Sequence, residues 1–222
     1  MIIAIDGPSG AGKSTLAKRL AKELQFIYLD TGAMYRALAL KVLRRGVDLA
    51  DDARLEELIA ETEIDLQESH GKLEVLLDGE EVAAQIRTPE VSQMASKVSA
   101  LRVVRSRMLE LQRMMGKRGS VVAEGRDIGT VIFPEAEVKV FLDASVGERA
   151  RRRYDELKAA GRVVDLDETR REIEERDKRD SERDVAPLRK ADDALTIDSS
   201  SVNADEVAAR VLARIQNELR EN

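Results

Sequence analysis

A glycine-rich octapeptide that separates a short apolar run from a helical pattern is the strongest constraint on how this chain folds. Residues 7–14 read GPSGAGKS and satisfy the pattern G-x-x-x-x-G-K-[ST]. The run Ile2–Ile5 predicts a buried strand before it, and Leu16, Leu20 and Leu24 predict a helix after it. In this context glycines allow backbone N–H groups to converge on phosphate oxygens, and the helix N-terminus favours negative charge. The pattern therefore predicts a nucleotide phosphate site.

Two side chains of this loop are expected to carry the chemistry. Lys13 is expected to bridge the β- and γ-phosphates, and Ser14 to offer its hydroxyl oxygen to the Mg²⁺ that arrives with the nucleotide. A glycine-rich turn with no ligand is the alternative, and the complete motif disfavours it. The Asn/Thr-Lys-x-Asp tetrapeptide expected of a switch GTPase does not occur. The predicted nucleotide-binding residues are Gly7, Pro8, Ser9, Gly10, Ala11, Gly12, Lys13, Ser14 and Thr15.

Short β-branched runs alternate with longer helical patterns, which predicts an α/β fold with a parallel five-stranded sheet flanked by helices. In the last helix Val207, Val211, Ile215 and Leu219 are expected to cover one face of the sheet, with Asn203 as its N-cap. The predicted strands are Ile2–Ile5, Phe26–Leu29, Val121–Ala123, Val138–Leu142 and Leu195–Ile197.

Two stretches interrupt the alternation. Residues 63–86 predict a small antiparallel insertion with turns at Ser69-His70-Gly71 and Asp78-Gly79. Residues 146–184 are dense in charge, which predicts a mobile helical lid. We therefore expect one domain, with a core of about 1–60, 100–145 and 185–222, an insertion of about 61–99 and a lid of about 146–184.

Composition excludes several classes of protein. The chain has 222 residues and no cysteine, so disulfides and thiolate chemistry are absent. A formal charge of -6 and 3% aromatic residues argue against nucleic-acid binding. The first residues carry only a four-residue apolar run without a basic lead-in, so we expect no membrane span and a cytoplasmic protein. His70 is expected in a surface turn, and Met108, Met114 and Met115 in the core.

Arginines follow two of the predicted strands. Arg36 comes after the second strand and Arg126 after the third, at the edge of the sheet where ligands of α/β proteins bind. Guanidinium groups at this edge favour an acceptor that is itself a phosphate, because a hydroxyl acceptor needs a carboxylate base instead. Asp127 could serve as such a base, so a hydroxyl acceptor stays open. About half of the lid arginines are expected only to form helical i,i+4 pairs on a solvated surface.

Five segments spread over almost the whole chain carry a family resemblance. They are GPSGAGKST, LDTGAMYR, RTPEVSQMAS, EGRDIGTVIFP and ERDKRDSERDVAPL. GRDIGTVIFP and the RDxxRD run before VAPL are the most specific of them. Together they resemble bacterial cytidylate kinases, of the nucleoside monophosphate kinase superfamily.

The resemblance implies transfer of the γ-phosphoryl group of ATP, with Mg²⁺, to CMP or dCMP in pyrimidine nucleotide metabolism, and we expect a monomer. It places the insertion on the side of the nucleoside monophosphate. It implies that Lys13, Arg36, Arg126 and Arg183 are catalytic and that these three arginines hold the CMP phosphate. Thr31 joins the substrate-binding residues, Ser96, Arg105 and Asp127 read cytosine, and Arg176 and Asp180 contact the ribose.

Two other functions remain open at this stage. A small-molecule kinase with a hydroxyl acceptor, such as shikimate or gluconate, would share the loop and the lid, but the insertion and the arginine–aspartate base reader disfavour it. A regulatory or nucleic-acid-binding ATPase would use Arg149–Arg153 as its contact patch, against which the acidic charge argues. Glu124 stands where many members of the resembled family carry aspartate, which leaves its part in orienting the Mg²⁺ hydration shell open.

Overall fold

The computed structural model describes residues 1–69 and 72–221, so the predicted turn residues His70 and Gly71 lie outside the described residues. The chain forms two compact units, one of Met1–Tyr28 with Gly119–Asn222 and one of Leu29–Arg118. The division into core, insertion and lid stays a prediction.

The strands are β1 (Ile2–Asp6), β2 (Ile27–Asp30), β3 (Ile64–Ser69), β4 (Lys72–Leu77), β5 (Glu80–Glu81), β6 (Val121–Gly125), β7 (Val138–Asp143) and β8 (Leu195–Asp198). The helices are α1 (Lys13–Leu24), α2 (Thr31–Arg45), α3 (Asp52–Ala60), α4 (Pro89–Val98), α5 (Arg102–Gly116), α6 (Val146–Ala159), α7 (Leu166–Glu182) and α8 (Ala204–Glu221), with a 3-10 turn at Gln85–Arg87 and a π-helical turn at Ile128–Ile132.

The five predicted strands form one sheet in the order β2-β6-β1-β7-β8, and β1 pairs in parallel with both β6 and β7. This confirms the α/β prediction. The apolar runs stop one or two residues short of the strand ends, because the backbone ladder continues into polar residues. Asp6, Asp30, Asp143 and Asp198 are the last residues of their strands. The sheet thus carries carboxylates along the edge at which ligands of such folds bind.

Helix α8 packs as expected over most of its length. Asn203 accepts a hydrogen bond from the Glu206 N–H at 2.9 Å, which confirms the N-cap. Val207, Val211 and Ile215 are buried, but Leu219 is 59% exposed, so its assignment to the core was wrong. Four residues advance a helix by about 40° more than one turn, and three such steps rotate the fourth position about 120° off the buried face.

The segment predicted as a lid consists of α6 and α7. Its few buried residues include Leu157 and Ile173, as expected from its charge. None of the helices within residues 1–69 and 72–221 combines the length and apolar character needed to cross a bilayer.

The second unit contains the predicted antiparallel insertion as the sheet β3-β4-β5. Asp78 and Gly79 both have positive φ, 50° and 82°, as the turn between β4 and β5 requires. The buried Lys41 on α2 forms a 2.7 Å ion pair with Asp78. Met108 and Met115 fill the core of this unit. Met114 is 52% exposed, so its assignment to the core was wrong. It immediately precedes the core position Met115 on the helix and therefore points to a different side.

Replacement of Gln112 by methionine is expected to stabilise the fold. Gln112 on α5 is fully buried, and within the described residues neither its amide nitrogen nor its amide oxygen has a hydrogen-bond partner. An unsatisfied buried polar group costs about 1–3 kcal/mol, which an apolar side chain of similar shape removes. Thermal unfolding should show a higher midpoint for Gln112→Met and no change for the exposed Gln216→Met. A lower midpoint for Gln112→Met alone would show that the amide is satisfied in solution.

Candidate active site

The phosphate loop follows β1 directly and runs into α1. Gly7, Gly10 and Gly12 have φ of 150°, 80° and 95°. A Cβ on Gly7 would lie 1.9 Å from the Leu142 carbonyl oxygen, so only glycine fits there. The loop carbonyls are held by side chains: Arg149 binds the oxygen of Ser9 at 3.1 Å, and Ser199 binds that of Ala11 at 2.9 Å. With its carbonyls engaged in this way, the loop is suited to present N–H groups to an anion.

Lys13 is the buried cation of the loop. Its ammonium group donates to the Pro8 carbonyl at 2.6 Å, which holds it across the loop. Burial, followed by the positive charge of Arg126, lowers the pKa of Lys13 to about 7, although Glu124 and Asp6 oppose the change. A nearby triphosphate would supply the negative charge that the site needs, so the loop fits ATP.

Binding of Mg·ATP is expected to take up protons at pH 8. With a pKa of about 7, most of Lys13 is neutral at pH 8 in the free protein, and the bound phosphates restore its charged form. Titration calorimetry in two buffers of different ionisation enthalpy should show uptake of about 0.9 proton per nucleotide at pH 8. At pH 6, where Lys13 is charged in both states, uptake should nearly vanish. Equal uptake at the two pH values would contradict the shift.

Arginines and carboxylates that the sequence placed in the site meet in the first unit. Arg126, just after β6, donates to Asp180 on α7 at 2.8 Å. Arg183, which follows α7, contacts Asp127 at 3.3 Å with both side chains buried. Arg176 lies 3.9 Å from Asp180. The structure thus brings together five predicted substrate-binding residues. The partners Arg126 and Asp180 are 54 positions apart in the sequence, and Arg183 and Asp127 are 56 positions apart.

The charges around Asp180 favour its ionised form. Burial alone would raise the pKa of Asp180, but Arg126, Arg176 and Arg183 outweigh it and hold that pKa below its ordinary value. Each carboxylate holds a guanidinium group, and a guanidinium group carries five N–H donors that suit an anionic ligand. The cluster can therefore bind an anionic, hydroxyl-bearing substrate.

The structure also distinguishes the arginines of α6. Arg149 is 4% exposed, binds two backbone carbonyls and forms a 2.6 Å ion pair with Asp177, so it supports the phosphate loop and is not a free surface group. Arg152 binds the Ser199 carbonyl at 2.6 Å. Arg151 and Arg153 pair with Glu148 and Glu156 three residues away. The proposed contact patch Arg149–Arg153 is therefore partly structural.

In the second unit, Arg36 and Thr31 lie at the start of α2. Asp30 caps this helix by accepting from the Ala33 N–H at 2.8 Å, and it also forms a 3.1 Å ion pair with Arg36. A Cβ on Gly32 would lie 3.0 Å from an Arg36 nitrogen, so glycine makes room for the folded arginine. Arg36 is half-buried, whereas Thr31 is fully buried. The carboxylate therefore holds Arg36 back over its own helix terminus.

Ser96 and Arg105 lie near the corner between α4 and α5 and are both buried. Arg105 donates to the Ser99 carbonyl at 3.2 Å, and the Ser99 hydroxyl donates to the Ser96 carbonyl at 3.0 Å. The guanidinium carbon of Arg105 lies 5.7 Å from the centre of the Tyr35 ring, within cation–π range. The arginine is thus fixed by a backbone acceptor and an aromatic face.

Sequence reasoning missed two buried carboxylate contacts. The hydroxyl of Tyr28 donates to Glu124, and this carboxylate raises the pKa of Lys13 against the effect of burial. Asp6 accepts from the Ile128 and Gly129 N–H groups at 2.8 Å each. A carboxylate directly after an apolar strand was the available signal for Asp6, whereas nothing local marked Tyr28 as the partner of Glu124.

A phosphate loop at the end of a strand of a parallel sheet, with buried arginines paired to carboxylates, defines a phosphate-loop kinase of the α/β class. The family model for cytidylate kinase matches residues 3–217. The chain therefore belongs to the cytidylate kinase family, whose members are ATP-dependent nucleoside monophosphate kinases. This confirms the family resemblance drawn from the sequence.

Individual relatives cover nearly the whole chain. A cytidylate kinase of Syntrophotalea carbinolica is 55% identical over 212 residues, which are 96% of this chain and 90% of that protein. A cytidylate kinase of Pelotomaculum thermopropionicum is 53% identical over 220 residues, 99% of this chain and 97% of that protein. The crystal structure of an uncharacterized protein from Eubacterium ventriosum shares the fold with a TM-score of 0.53 at 15% identity, covering 97% of this chain and 98% of that one.

Proposed function

We propose that this chain transfers the γ-phosphoryl group of ATP, delivered with Mg²⁺, to CMP or dCMP, and releases ADP with CDP or dCDP. The observation that carries the proposal is the phosphate loop with its buried Lys13, in a chain of the cytidylate kinase family. The enzyme would act as a monomer in the cytoplasm, in pyrimidine nucleotide metabolism.

On the donor side, the loop amides and Lys13 bind the β- and γ-phosphates of ATP, and Ser14 would hold the Mg²⁺ that arrives with the nucleotide and offsets phosphate charge. An oxygen of the CMP phosphate attacks the γ-phosphorus in line, while the bond to the bridging oxygen breaks and its electron pair leaves with ADP. Lys13 stabilises the charge that develops between the two phosphates. Closure of the lid would exclude water from this step.

On the acceptor side, Arg36, Arg126 and Arg183 bind the CMP phosphate and offset the repulsion between two anions. This role is supported by the pairing of each of these arginines with a carboxylate, which fixes it in place. Thr31 supplies a hydroxyl at the start of the helix that carries Arg36. Ser96, Arg105 and Asp127 read the cytosine edge, and Arg176 and Asp180 contact the ribose.

Cytosine presents an amino donor at N4 beside the acceptors N3 and O2, so a carboxylate with an arginine complements it. Uracil presents an acceptor at the fourth position and would leave a buried carboxylate without a donor. This chemistry supports Asp127 as the residue that selects cytosine.

The test is ADP formation from Mg·ATP with CMP, dCMP, UMP, AMP, GMP, TMP and shikimate as separate acceptors, beside a control without acceptor. Rapid turnover that strongly favours the cytosine nucleotides, and is lost when EDTA removes the Mg²⁺, is the expected result. Turnover with shikimate alone, or none above the control, would refute the proposal.

A further inference from the structure

Asp6 is a buried carboxylate to which the proposed mechanism gives no part. It is the last residue of β1, the central strand, and lies opposite Gly125 on β6 and Phe141 on β7. The next residue is Gly7, where the loop backbone packs against the Leu142 carbonyl. Asp6 therefore projects from a strand end that is paired on both sides and is followed by a tightly packed glycine.

Both oxygens of Asp6 are used on one short segment. Oδ1 accepts from the Ile128 N–H and Oδ2 from the Gly129 N–H, each at 2.8 Å. These N–H groups open the π-helical turn that follows Asp127, where backbone donors lack partners within the helix. The Asp127 carbonyl in turn accepts from Val131 and Ile132 at 2.9 and 3.1 Å. Hydrogen bonds thus fix the backbone on both sides of Asp127.

Gly129 permits this close approach. A Cβ at this position would lie 3.5 Å from Oδ2 of Asp6 and 3.1 Å from the side chain of Lys139. An alanine here would meet Asp6 at an ordinary contact distance, whereas the side chain of Lys139 would have to move by a few tenths of an ångström. Glycine at position 129 therefore leaves room for the Lys139 side chain beside the hydrogen bond to Asp6.

We propose that Asp6 is a positioning residue, whose carboxylate fixes the backbone of Ile128 and Gly129 and thereby the orientation of Asp127 as the reader of cytosine. The part of the proposal that concerns cytosine depends on the proposed function. Asp6 immediately precedes the phosphate loop. The end of β1 therefore leads into the ATP-binding loop and also carries the carboxylate that positions the base reader.

The destabilising effect of the buried Asp6 carboxylate on the fold supports a functional role. Burial, with a further contribution from Asp127, raises the pKa of Asp6 to about 6, although the two N–H donors and Lys13 oppose the rise. Between about pH 4 and pH 6 the folded protein therefore binds more protons at Asp6 than the unfolded chain does, and stability falls as pH rises through that window. At neutral pH the ionised Asp6 weakens the fold, which is typical of a residue kept for function.

The test compares Asp6→Asn with Asp143→Asn. Asp143 ends the neighbouring strand β7, is exposed, and accepts from the Ala144 N–H at 2.8 Å, so it is a matched strand-end control to which the proposed mechanism gives no part. Asparagine at position 6 can accept from one N–H but turns its own amide donor towards the other. For Asp6→Asn we expect the KM for CMP to rise about tenfold or more, as a buried N–H loses its acceptor. The ratio of kcat/KM for CMP over UMP should fall by a similar factor, with the KM for ATP within about twofold.

A purely structural role would give a different result. The unfolding midpoint of Asp6→Asn should stay within about 4 °C of the wild type. An unchanged CMP:UMP ratio, or equal increases in the KM values for ATP and CMP, would overturn the proposal. If Asp6→Asn does not fold, Asp6→Glu decides the question, because it keeps the charge but shifts the carboxylate by one methylene from the two N–H groups and should lower the same ratio.

Amide hydrogen exchange in the free protein separates this inference from the proposed function. Exchange at Ile128 and Gly129 should accelerate about tenfold or more in Asp6→Asn and not in Asp143→Asn, whatever the substrate. Unchanged exchange would overturn the positioning role. A wild type that does not phosphorylate CMP would instead refute the proposed function and the cytosine part of this inference, while the exchange result would still test the positioning of the segment.

Discussion

Lys13→Ala is expected to lower kcat for ADP formation from Mg·ATP and CMP by about 100- to 1000-fold, the cost of removing one preorganised donor from a transition state that gathers charge. Lys13 is the buried cation of the loop, and its ammonium group already lies across it on the Pro8 carbonyl. Steady-state kinetics at saturating Mg·ATP and CMP measure the effect. Retention of most of the turnover would refute the role of the loop.

Lys22→Ala provides the matched control, since Lys22 lies on the same helix with an exposed side chain. Its kinetics should equal those of the wild type. Misfolding is not expected to explain the loss in Lys13→Ala. Burial lowers the pKa of Lys13 to about 7, so the protonated lysine costs stability at pH 7 and below, and this cost declines as pH rises. The unfolding midpoint of the variant at pH 7 should be no lower than that of the wild type.

The sheet was predictable because its strands are short apolar runs, of which the central strands β1 and β6 are buried on both faces. Each predicted run proved to be a strand, and the loop motif fixed the order of strand, loop and helix at the N-terminus. Leu219 and Met114 show the limit of periodicity. A helical repeat indicates which positions share a face, but the neighbours that cover this face are determined by distant parts of the chain.

The position of the phosphate loop between β1 and α1 was predictable, because a local motif specifies it. The contacts of arginines in the charge-dense segment were not predictable. Sequence spacing reveals i,i+3 and i,i+4 pairs but not a contact such as that of Arg149 with Ser9, 140 positions away. Asp6 is a similar case, since its partners lie 122 and 123 positions along the chain. The functional roles of the acceptor residues stay predictions, which their geometry makes testable.

Asp127→Asn is expected to lower the ratio of kcat/KM for CMP over UMP by about 100-fold, since a site built to pair with a polar substrate group discriminates by leaving the wrong group unpaired. Asparagine keeps the shape of the side chain and its contact distance to Arg183. Its amide can turn, so that its oxygen accepts from the amino group of cytosine or its nitrogen donates to the O4 of uracil. Loss of cytosine preference, with UMP improved relative to CMP, is therefore the expected pattern.

Asp205→Asn is the control for this experiment, because Asp205 pairs with Arg19 at the surface and should leave the ratio unchanged. The comparison of two acceptors on one variant makes the result independent of the amount of active enzyme. A variant that loses activity equally with CMP and UMP would show that Asp127 acts only through Arg183, whose guanidinium it contacts at 3.3 Å, and does not read the base. Selective loss with CMP would place the carboxylate against the amino group of cytosine, since uracil offers a carbonyl acceptor at that position.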